Sequence, residues 1–259
     1  MFTKKDFDIL LEHRQWDYAI ELVLGLEPKS SKVYPLSLVK QKKLDSFLEE
    51  NLCTGQICPS KSPMATLVFF IKKKNGSLWL VQDYYALNSM TVKNKYPLPL
   101  ISKLVSQLCR ARYFTKLDVC WGFNNICIKP GDKWKAVFQT NWGMFEPLVM
   151  FFGMTNSPAT FRTMINNIFW DLIAEGIMMV YLDDILIFTR IEEEHAKAIR
   201  WVLQILQENK LFLCPEKYEF CKERIKYLDL VISENEVSID LIKVTGVWEW
   251  PTLENKMDI

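Results

Sequence analysis

The feature that most constrains the fold is a pair of adjacent acids set between two apolar runs, in residues 177–189. Asp183 and Asp184 follow Ile-Met-Met-Val-Tyr-Leu and precede Ile-Leu-Ile-Phe-Thr, and each run has a length that suits a β-strand. The pattern predicts a hairpin with two carboxylates at its tip. Carboxylates this close to apolar residues are costly unless a positive charge offsets them, and Mg²⁺ is a cation that takes carboxylate oxygens as ligands. A solvated Asp-Asp turn is the alternative.

A third acid ends another strand-like segment. Asp118 follows Tyr-Phe-Thr-Lys-Leu at 113–117. Two metal ions can stabilise the attacking and leaving oxygens of a phosphoryl transfer, and such a pair needs carboxylates from different strands. Asp118 and the Asp183–Asp184 hairpin meet this requirement if their strands are neighbours in one antiparallel sheet.

Further motifs occur in a fixed order around these acids. They are Ser-Lys-Ser-Pro at 60–63, Gln-Asp-Tyr-Tyr-Ala-Leu-Asn at 82–88, Tyr-Pro-Leu-Pro at 96–99, Lys-Leu-Asp at 116–118, Phe-Phe-Gly-Met-Thr-Asn-Ser-Pro-Ala-Thr-Phe at 151–161 and Tyr-Leu-Asp-Asp at 181–184. With them the chain resembles the reverse transcriptase of gypsy-type long-terminal-repeat retrotransposons, most like those of fungi. The resemblance runs from about Val33 to Pro251.

The resemblance implies an α+β fold, namely the fingers and palm of a right-hand polymerase, with an antiparallel palm sheet packed on helices. Residues 1–32 correspond to a connector upstream of the polymerase, 33–251 to fingers and palm, and 252–259 to a truncated tail of a longer polyprotein. The implied activity is RNA-directed DNA synthesis on a primed RNA or DNA template from deoxynucleoside triphosphates. The implied cofactor is a pair of Mg²⁺ ions, with Mn²⁺ as a substitute.

The same resemblance assigns roles to individual residues. Asp118 and Asp183 are the expected metal ligands, with Asp184 auxiliary and the Val119 carbonyl as a further oxygen. The expected nucleotide-binding residues are Lys73 at a hairpin tip, Phe123 as the aromatic gate against a ribose 2′-hydroxyl, and Phe152 and Gly153 in the loop that lines the pocket. For Lys73 a solvated turn is one alternative, and Lys72 or Lys74 in the same role is another because the loop length varies. For Phe123 the alternative is an ordinary core position.

Composition sets further limits. A chain of 259 residues with 49% hydrophobic content can bury a sizeable core. Its start lacks a signal-peptide pattern, and no apolar run approaches a membrane span, so we expect a soluble protein in an intracellular particle or the nucleus, without a membrane partner. A net charge of +1 is weak for a protein that binds phosphate backbones. The oligomeric state is not predicted.

Cysteine and histidine spacing does not predict a zinc site. Cys53-x4-Cys58 and Cys214-x6-Cys221 lack the C-x2-C spacing of such sites, and His13 and His195 are near neither pair. His195 follows Glu-Glu-Glu at a helix start, which predicts a solvated side chain.

The chain departs from the family pattern at positions that share a signature. Trp79 and Tyr85 stand where the family carries arginine, Asp229 replaces a glycine and Leu67 a proline. Further Cys, Trp and Gln residues occupy positions where relatives tend to carry arginine: Cys53, Gln56, Cys58, Cys109, Cys127, Gln139, Trp142, Trp201 and Gln207. Single C-to-T changes on one DNA strand or the other convert arginine codons into codons for Cys, Trp or Gln. A decaying copy with an intact metal site and a damaged substrate clamp is therefore the alternative to an active polymerase.

Local patterns predict the elements. Helices are expected at 38–51, 97–109, 156–176 (opened by Asn156-Ser157-Pro158 and closed by Gly176) and 192–209. Strands are expected at 67–71 and 78–81, joined through Asn75-Gly76, and at 113–118, 125–128, 134–140, 145–150, 177–182 and 185–189.

Overall fold

The structure, a computed structural model, describes residues 12–23, 25, 35–73, 76–96, 101–119, 122–181, 184–213, 218–228, 230–239, 245 and 248, with side chains left out at 101–104. The chain folds into two units, each made of several segments. The first comprises Met1–Pro97, Val119–Ile168 and Leu206–Phe212, and the second Leu98–Asp118, Phe169–Ile205 and Leu213–Ile259. No helix in the described ranges combines the length and apolar content needed to cross a lipid bilayer.

The described residues alternate between helices and short strands. The helices are α1 (Leu38–Cys53), α2 (Tyr85–Met90), α3 (Ile101–Leu108), α4 (Ser157–Ile168), α5 (Trp170–Ala174) and α6 (Glu192–Glu208). The strands are β1 (Ile57–Pro59), β2 (Thr66–Lys72), β3 (Leu78–Gln82), β4 (Tyr113–Asp118), β5 (Phe138–Thr140), β6 (Gly143–Pro147), β7 (Met178–Tyr181), β8 (Asp184–Thr189), β9 (Glu219–Lys222), β10 (Arg224–Tyr227), β11 (Leu230–Ser233) and β12 (Glu236–Ile239).

The first unit is built on a five-stranded sheet in the order β1-β6-β5-β2-β3. The predicted hairpin of β2 and β3 is confirmed, with Ile71 opposite Trp79, and Gly76 takes the positive φ of +81° that its turn requires. Lys72 and Lys73 are exposed at its tip. Phe138 of β5 is fully buried and stacks on Phe145 of β6. The rings of Phe47 and Phe151 lie edge-on to it, and these four rings form the aromatic centre of this sheet's core.

The second unit contains an antiparallel sheet in the order β7-β8-β4-β9 and a meander of β10, β11 and β12. Alternation along β4 places one set of its side chains against the meander. Phe114 packs there with Leu186 and Phe188 of β8 and with Ile225 and Tyr227 of β10. The opposite set faces α6. The acids at the end of β4 and the start of β8 therefore rest on a strand pair that is buried on both faces.

Some predicted bounds are wrong. Residues 133–136 form a 3₁₀ turn, not strand, because the Asp132 carboxylate accepts a hydrogen bond from the Lys135 ammonium and fixes that turn; only 138–140 are extended. Residues 122–125 also form a 3₁₀ turn, so the strand expected at 125–128 reduces to single bridges at Cys127 and Ile128. The strand expected at 145–150 corresponds to β6, which begins earlier and ends at Pro147. The helix expected at 156–176 breaks at Phe169 into α4 and α5, and Gly176 ends the segment with a φ of +74°.

The predicted solvation of His195 is wrong as well. Its side chain is fully buried and contacts the hydroxyls of Thr115 in β4, at 2.8 Å, and Thr189 in β8, at 3.1 Å. The reason is helical periodicity: His195 shares the buried face of α6 with Ala198, Ile199 and Val202. Burial lowers the pKa of His195 to about 4.

Candidate active site

The acids come together at one end of the sheet in the second unit. In the antiparallel register of β4 and β8, Asp118 is directly opposite Asp184, and Tyr181 of β7 pairs with Asp184 from the other side. Residues directly opposite one another project from the same face of a sheet. Two of the predicted acids therefore extend from one edge of one face. Asp183, which precedes β8 in the sequence, lies outside the described residues.

A lysine that sequence reasoning missed contacts this edge. The Nζ atom of Lys116 lies 3.1 Å from Oδ2 of Asp184, and both side chains are mostly buried. Lys116 and Asp118 are two residues apart on one strand, so they share a face. That alternation was the signal in the sequence. The ion pair offsets the charge of one carboxylate.

Tyr227 of β10 adds a buried phenol near the same edge. Its ring centre lies 5.9 Å from the Lys116 ammonium. Its hydroxyl is buried and has no hydrogen-bond partner within the ranges the structure describes. Burial raises the pKa of Tyr227 above its ordinary value, and the nearby Asp184 and Tyr181 raise it further. The phenol therefore stays neutral and leaves the negative charge of the edge to the carboxylates.

The chemistry of these donors fits a hard divalent cation. Asp118 and Asp184 supply carboxylate oxygens from adjacent strands, which is the ligand type that Mg²⁺ takes. Lys116 already places a cationic group at one of these carboxylates and offsets part of its negative charge. Val119 follows Asp118 directly and has a buried side chain.

The first unit brings the predicted nucleotide-binding aromatics into contact. The ring centres of Phe123 and Phe152 are 5.0 Å apart, and Phe123 also lies 5.6 Å from Phe161 of α4. Both pairs are edge-to-face, an arrangement that aromatic quadrupoles favour. Phe123 is 9% exposed and Phe152 is 41% exposed, so Phe152 supplies the accessible part of this aromatic surface.

Trp79 extends the aromatic surface toward the hairpin tip. Its ring centre is 5.4 Å from that of Phe152, and the Lys73 ammonium lies 4.3 Å from the centre of the Trp79 ring. Lys73 therefore makes a cation–π contact with Trp79, a position at which the sequence resemblance leads us to expect arginine. Tyr85, at the other such position, is 81% exposed.

Two glycines permit the close approach of these loops. A Cβ at Gly122 would lie 2.8 Å from Cε2 of Phe161, so the turn that carries Phe123 reaches α4 only because residue 122 has no side chain. Gly153 adopts a φ of +96°, and its carbonyl accepts a 2.6 Å hydrogen bond from Nδ2 of Asn88. The loop that carries Phe152 is thereby fixed to α2.

Comparisons with known proteins agree with this architecture. Residues 71–232 match the model of the family described as reverse transcriptase (RNA-dependent DNA polymerase). The transposon Tf2-3 polyprotein of Schizosaccharomyces pombe is 34% identical over 226 residues, which is 87% of this chain but 17% of that polyprotein. The chain thus spans a small part of this relative.

Solved structures share the fold. The foamy viral protease–reverse transcriptase in complex with RNA/DNA hybrid aligns with a TM-score of 0.80 at 19% identity, over 93% of this chain and 32% of that one. The same protein in complex with dsDNA aligns with a TM-score of 0.82 at 19% identity, over 98% and 54%. The expected α+β polymerase fold is confirmed, and the chain belongs to the reverse transcriptase family.

Proposed function

We propose that this chain is the fingers-and-palm part of an RNA-directed DNA polymerase, which transfers deoxynucleotides to a primer 3′-hydroxyl on an RNA or DNA template. The observation that carries the proposal is the register that sets Asp118 opposite Asp184 in a chain of this family. In phosphoryl transfer the protein contributes mainly positioning and electrostatic stabilisation. Strands β4 and β8 are buried on both faces and therefore hold these carboxylates in fixed positions.

In this proposal Asp118 and Asp183 hold Mg²⁺, with Asp184 in an auxiliary role and the Val119 carbonyl as an additional oxygen; Mn²⁺ can replace Mg²⁺. When bound, two such ions lower the pKa of the primer hydroxyl and neutralise charge on the triphosphate. The protein's own contribution is to hold the acids in register. Lys116 restrains the Asp184 carboxylate through their ion pair.

The nucleotide-binding roles belong to the first unit. Phe123, held between Phe152 and Phe161, is proposed to reject a ribose 2′-hydroxyl, and Phe152 with Gly153 to line the pocket. Lys73 is proposed to contact the triphosphate. It is exposed at the end of a two-stranded hairpin, a place from which a flexible lysine can reach a phosphate.

The partners follow from the same proposal. Foamy viral proteins with this fold were solved with RNA/DNA hybrid and with dsDNA, and a primed template is the corresponding ligand here. Since the net charge is only +1, we expect weak non-specific binding to nucleic acid. Affinity for a primed template should then depend on specific contacts with it. An intracellular particle or the nucleus is the proposed location. Residues 1–32 are proposed to be a connector and residues 252–259 a truncated tail.

The experiment is extension of a DNA primer on an RNA template, followed with Mg²⁺ and with Mn²⁺. The chain is compared with Asp118→Asn, which keeps the size of the side chain and removes its charge. Extension by the chain but not by Asp118→Asn supports the proposal. Equal extension by both would contradict it, because the activity would then not depend on the carboxylate.

A specific observation favours a second candidate, a catalytically impaired relic that at most binds nucleic acid. The Trp79 ring holds the Lys73 ammonium where an arginine would present its guanidinium to phosphate. Primer extension that appears only after Trp79→Arg and Tyr85→Arg would identify an intact metal site with a damaged clamp. Template-primer binding without extension in either form would favour the relic.

A further inference from the structure

Three potential metal donors meet in the first unit, two of them four residues apart and the third distant in sequence. A ring nitrogen of His13, a carboxylate oxygen of Asp17 and Sγ of Cys127 all lie within 4.8 Å of one another. The His13 ring nitrogen also contacts Oδ2 of Asp17 directly. Neither the spacings between cysteines nor the positions of the histidines predicted this cluster, because 110 residues separate Asp17 from Cys127.

Backbone hydrogen bonds hold the donors together. The Tyr18 amide donates to the Cys127 carbonyl at 2.8 Å, and the Lys129 amide donates to the Tyr18 carbonyl at 2.8 Å. Tyr18 also forms a parallel bridge with Ile128. The segment that carries Asp17 is therefore attached to the segment that carries Cys127 at Tyr18, the residue that follows Asp17.

The Asp17 side chain is positioned from within its own turn. Its Oδ1 accepts a 2.9 Å hydrogen bond from the Arg14 amide, which leaves Oδ2 directed at His13. The Arg14 guanidinium donates to Oδ1 of Asn209, also in this unit. This turn is thus anchored independently of any ion, so the carboxylate is placed before a ligand arrives.

We propose that His13, Asp17 and Cys127 form a Zn²⁺ site. Imidazole nitrogen, carboxylate oxygen and thiolate sulfur are the donors that Zn²⁺ takes, and three protein ligands leave one position of a tetrahedron for water. Asp17 would serve as a ligand in place of its present contact with the imidazole. Cys127 is buried while His13 is 48% exposed on its side chain, which gives the ion an entry path.

An ion at this site would attach the segment that carries His13 and Asp17 to the rest of the first unit. Binding energy of a structural metal is folding energy, and this ion would close a loop of 110 residues between Asp17 and Cys127. Cys127 follows the 3₁₀ turn Gly122–Asn125 that carries Phe123, so the same ion would stabilise the base of that turn. This inference does not depend on polymerase activity.

The test uses the whole chain, freed of metal by a chelator and titrated with Co²⁺ in place of Zn²⁺. A thiolate ligand gives Co²⁺ a near-ultraviolet charge-transfer band, and tetrahedral geometry gives strong visible bands. We expect one such Co²⁺ per chain, displaced by Zn²⁺, and a higher Tm with Zn²⁺ than without it. Cys127→Ser should remove the charge-transfer band. Asp17→Asn removes the charge of a proposed ligand and should weaken Co²⁺ binding by at least the roughly tenfold that loss of a group hydrogen-bonded to a ligand costs.

Matched variants separate this site from others. Cys58→Ser removes a different partly buried thiol and should leave the band intact, and Asp184→Asn alters the proposed catalytic metal site and should also leave it intact. Asp17→Asn keeps the oxygen that accepts the Arg14 amide hydrogen bond, so it serves if Cys127→Ser fails to fold. A band that survives Cys127→Ser, or no band at a tenfold excess of Co²⁺, would overturn the proposal whether or not the chain extends primers.

Discussion

The Lys73 ammonium lies 4.3 Å from the centre of the Trp79 ring, and that ring in turn meets Phe152 edge-on at 5.4 Å. Lys73 and Trp79 are neighbours across the β2–β3 hairpin. A cation–π contact at an exposed site contributes about 0.5–1 kcal/mol, so a triphosphate that recruits Lys73 must first overcome it. In this hairpin the Lys73 ammonium is thus already in contact with the Trp79 ring, and position 79 offers no guanidinium to bind phosphate.

Trp79→Arg is therefore expected to improve nucleotide use. A hydrogen bond to a charged group contributes about 1.5–3 kcal/mol, and about 1.4 kcal/mol is a factor of ten. KM for deoxynucleoside triphosphate should fall by roughly ten- to a hundredfold, with a smaller change in kcat. Steady-state primer extension at varied nucleotide concentration measures both.

Trp142→Arg is the matched control for this change. It replaces another tryptophan at a position where the sequence resemblance leads us to expect arginine. Trp142 donates through Nε1 to Asp45 on α1, which arginine can also do. KM should not change in this variant. An equal gain in the two variants would mean that added positive charge, rather than a guanidinium at position 79, improves nucleotide use.

The sequence was sufficient for the strands that carry the acids, because each apolar run has the length of a strand and two acids separate the runs. It was also sufficient for the β2–β3 hairpin, where Asn-Gly specifies the turn. It failed at 133–136, where a local side-chain contact of Asp132 with Lys135 outweighs strand propensity. Local patterns do not report such competing hydrogen bonds.

Long-range partners could not be predicted in the same way. Periodicity along β4 could have placed Lys116 beside Asp118, but the distance to Asp184 depends on the β4–β8 register. The burial of His195 was readable from the apolar face of α6, although three preceding glutamates obscured it. The meeting of His13, Asp17 and Cys127 depends on tertiary contacts, which no spacing within the sequence encodes.

The buried His195 makes stability depend on pH. Histidine in the unfolded chain titrates near 6.5, and burial lowers the pKa of His195 in the fold to about 4. Between these values the unfolded chain binds more protons, so the free energy of unfolding decreases as pH falls. The contribution is complete above pH 6.5 and falls by about 3 kcal/mol on reaching pH 4. Urea unfolding at pH 7, 6, 5 and 4 measures it.

His195→Phe supplies the comparison for that titration. It is expected to be less stable at pH 7, because Thr115 and Thr189 lose their contacts with the imidazole. Its stability should change less between pH 6.5 and 4 than that of the parent chain. The same decline in both proteins would show that other groups, such as carboxylates, cause the acid sensitivity.

Lys116→Met should tighten the binding of divalent cations. The variant removes a positive charge 3.1 Å from Asp184 while it keeps an apolar side chain of similar length. Less repulsion of the incoming ion, about 1 kcal/mol at a partly screened site, corresponds to roughly fivefold lower Kd for Mn²⁺. Titration followed by electron paramagnetic resonance of free Mn²⁺ gives the Kd without any turnover.

Lys222→Met on β9 tests whether the effect is local to Asp184, because Lys222 is exposed and pairs with Phe114 at the other end of β4. Its Kd for Mn²⁺ should stay within about twofold of the parent value.

The Lys116→Met variant also tests the ion pair itself. In the absence of metal it should lower the free energy of unfolding by about 1 kcal/mol, since the ion pair is lost. Unchanged Mn²⁺ affinity in Lys116→Met would refute a link between this lysine and the metal site.

Phe123→Val tests the aromatic gate. Phe123 contacts Phe152 and Phe161 and is 9% exposed; complete truncation of a buried phenylalanine costs about 3–5 kcal/mol, so valine is the milder change. A smaller side chain leaves room for a 2′-hydroxyl, and the ratio of kcat/KM for ribonucleotide to that for deoxynucleotide should rise by at least tenfold. Single-nucleotide extension with each nucleotide class measures the ratio.

Phe161→Leu is the control, because it perturbs the same aromatic packing from α4. It should reduce stability without a comparable rise in this ratio. If both variants raise the ratio equally, loosened packing rather than loss of a gate at Phe123 accounts for the selectivity.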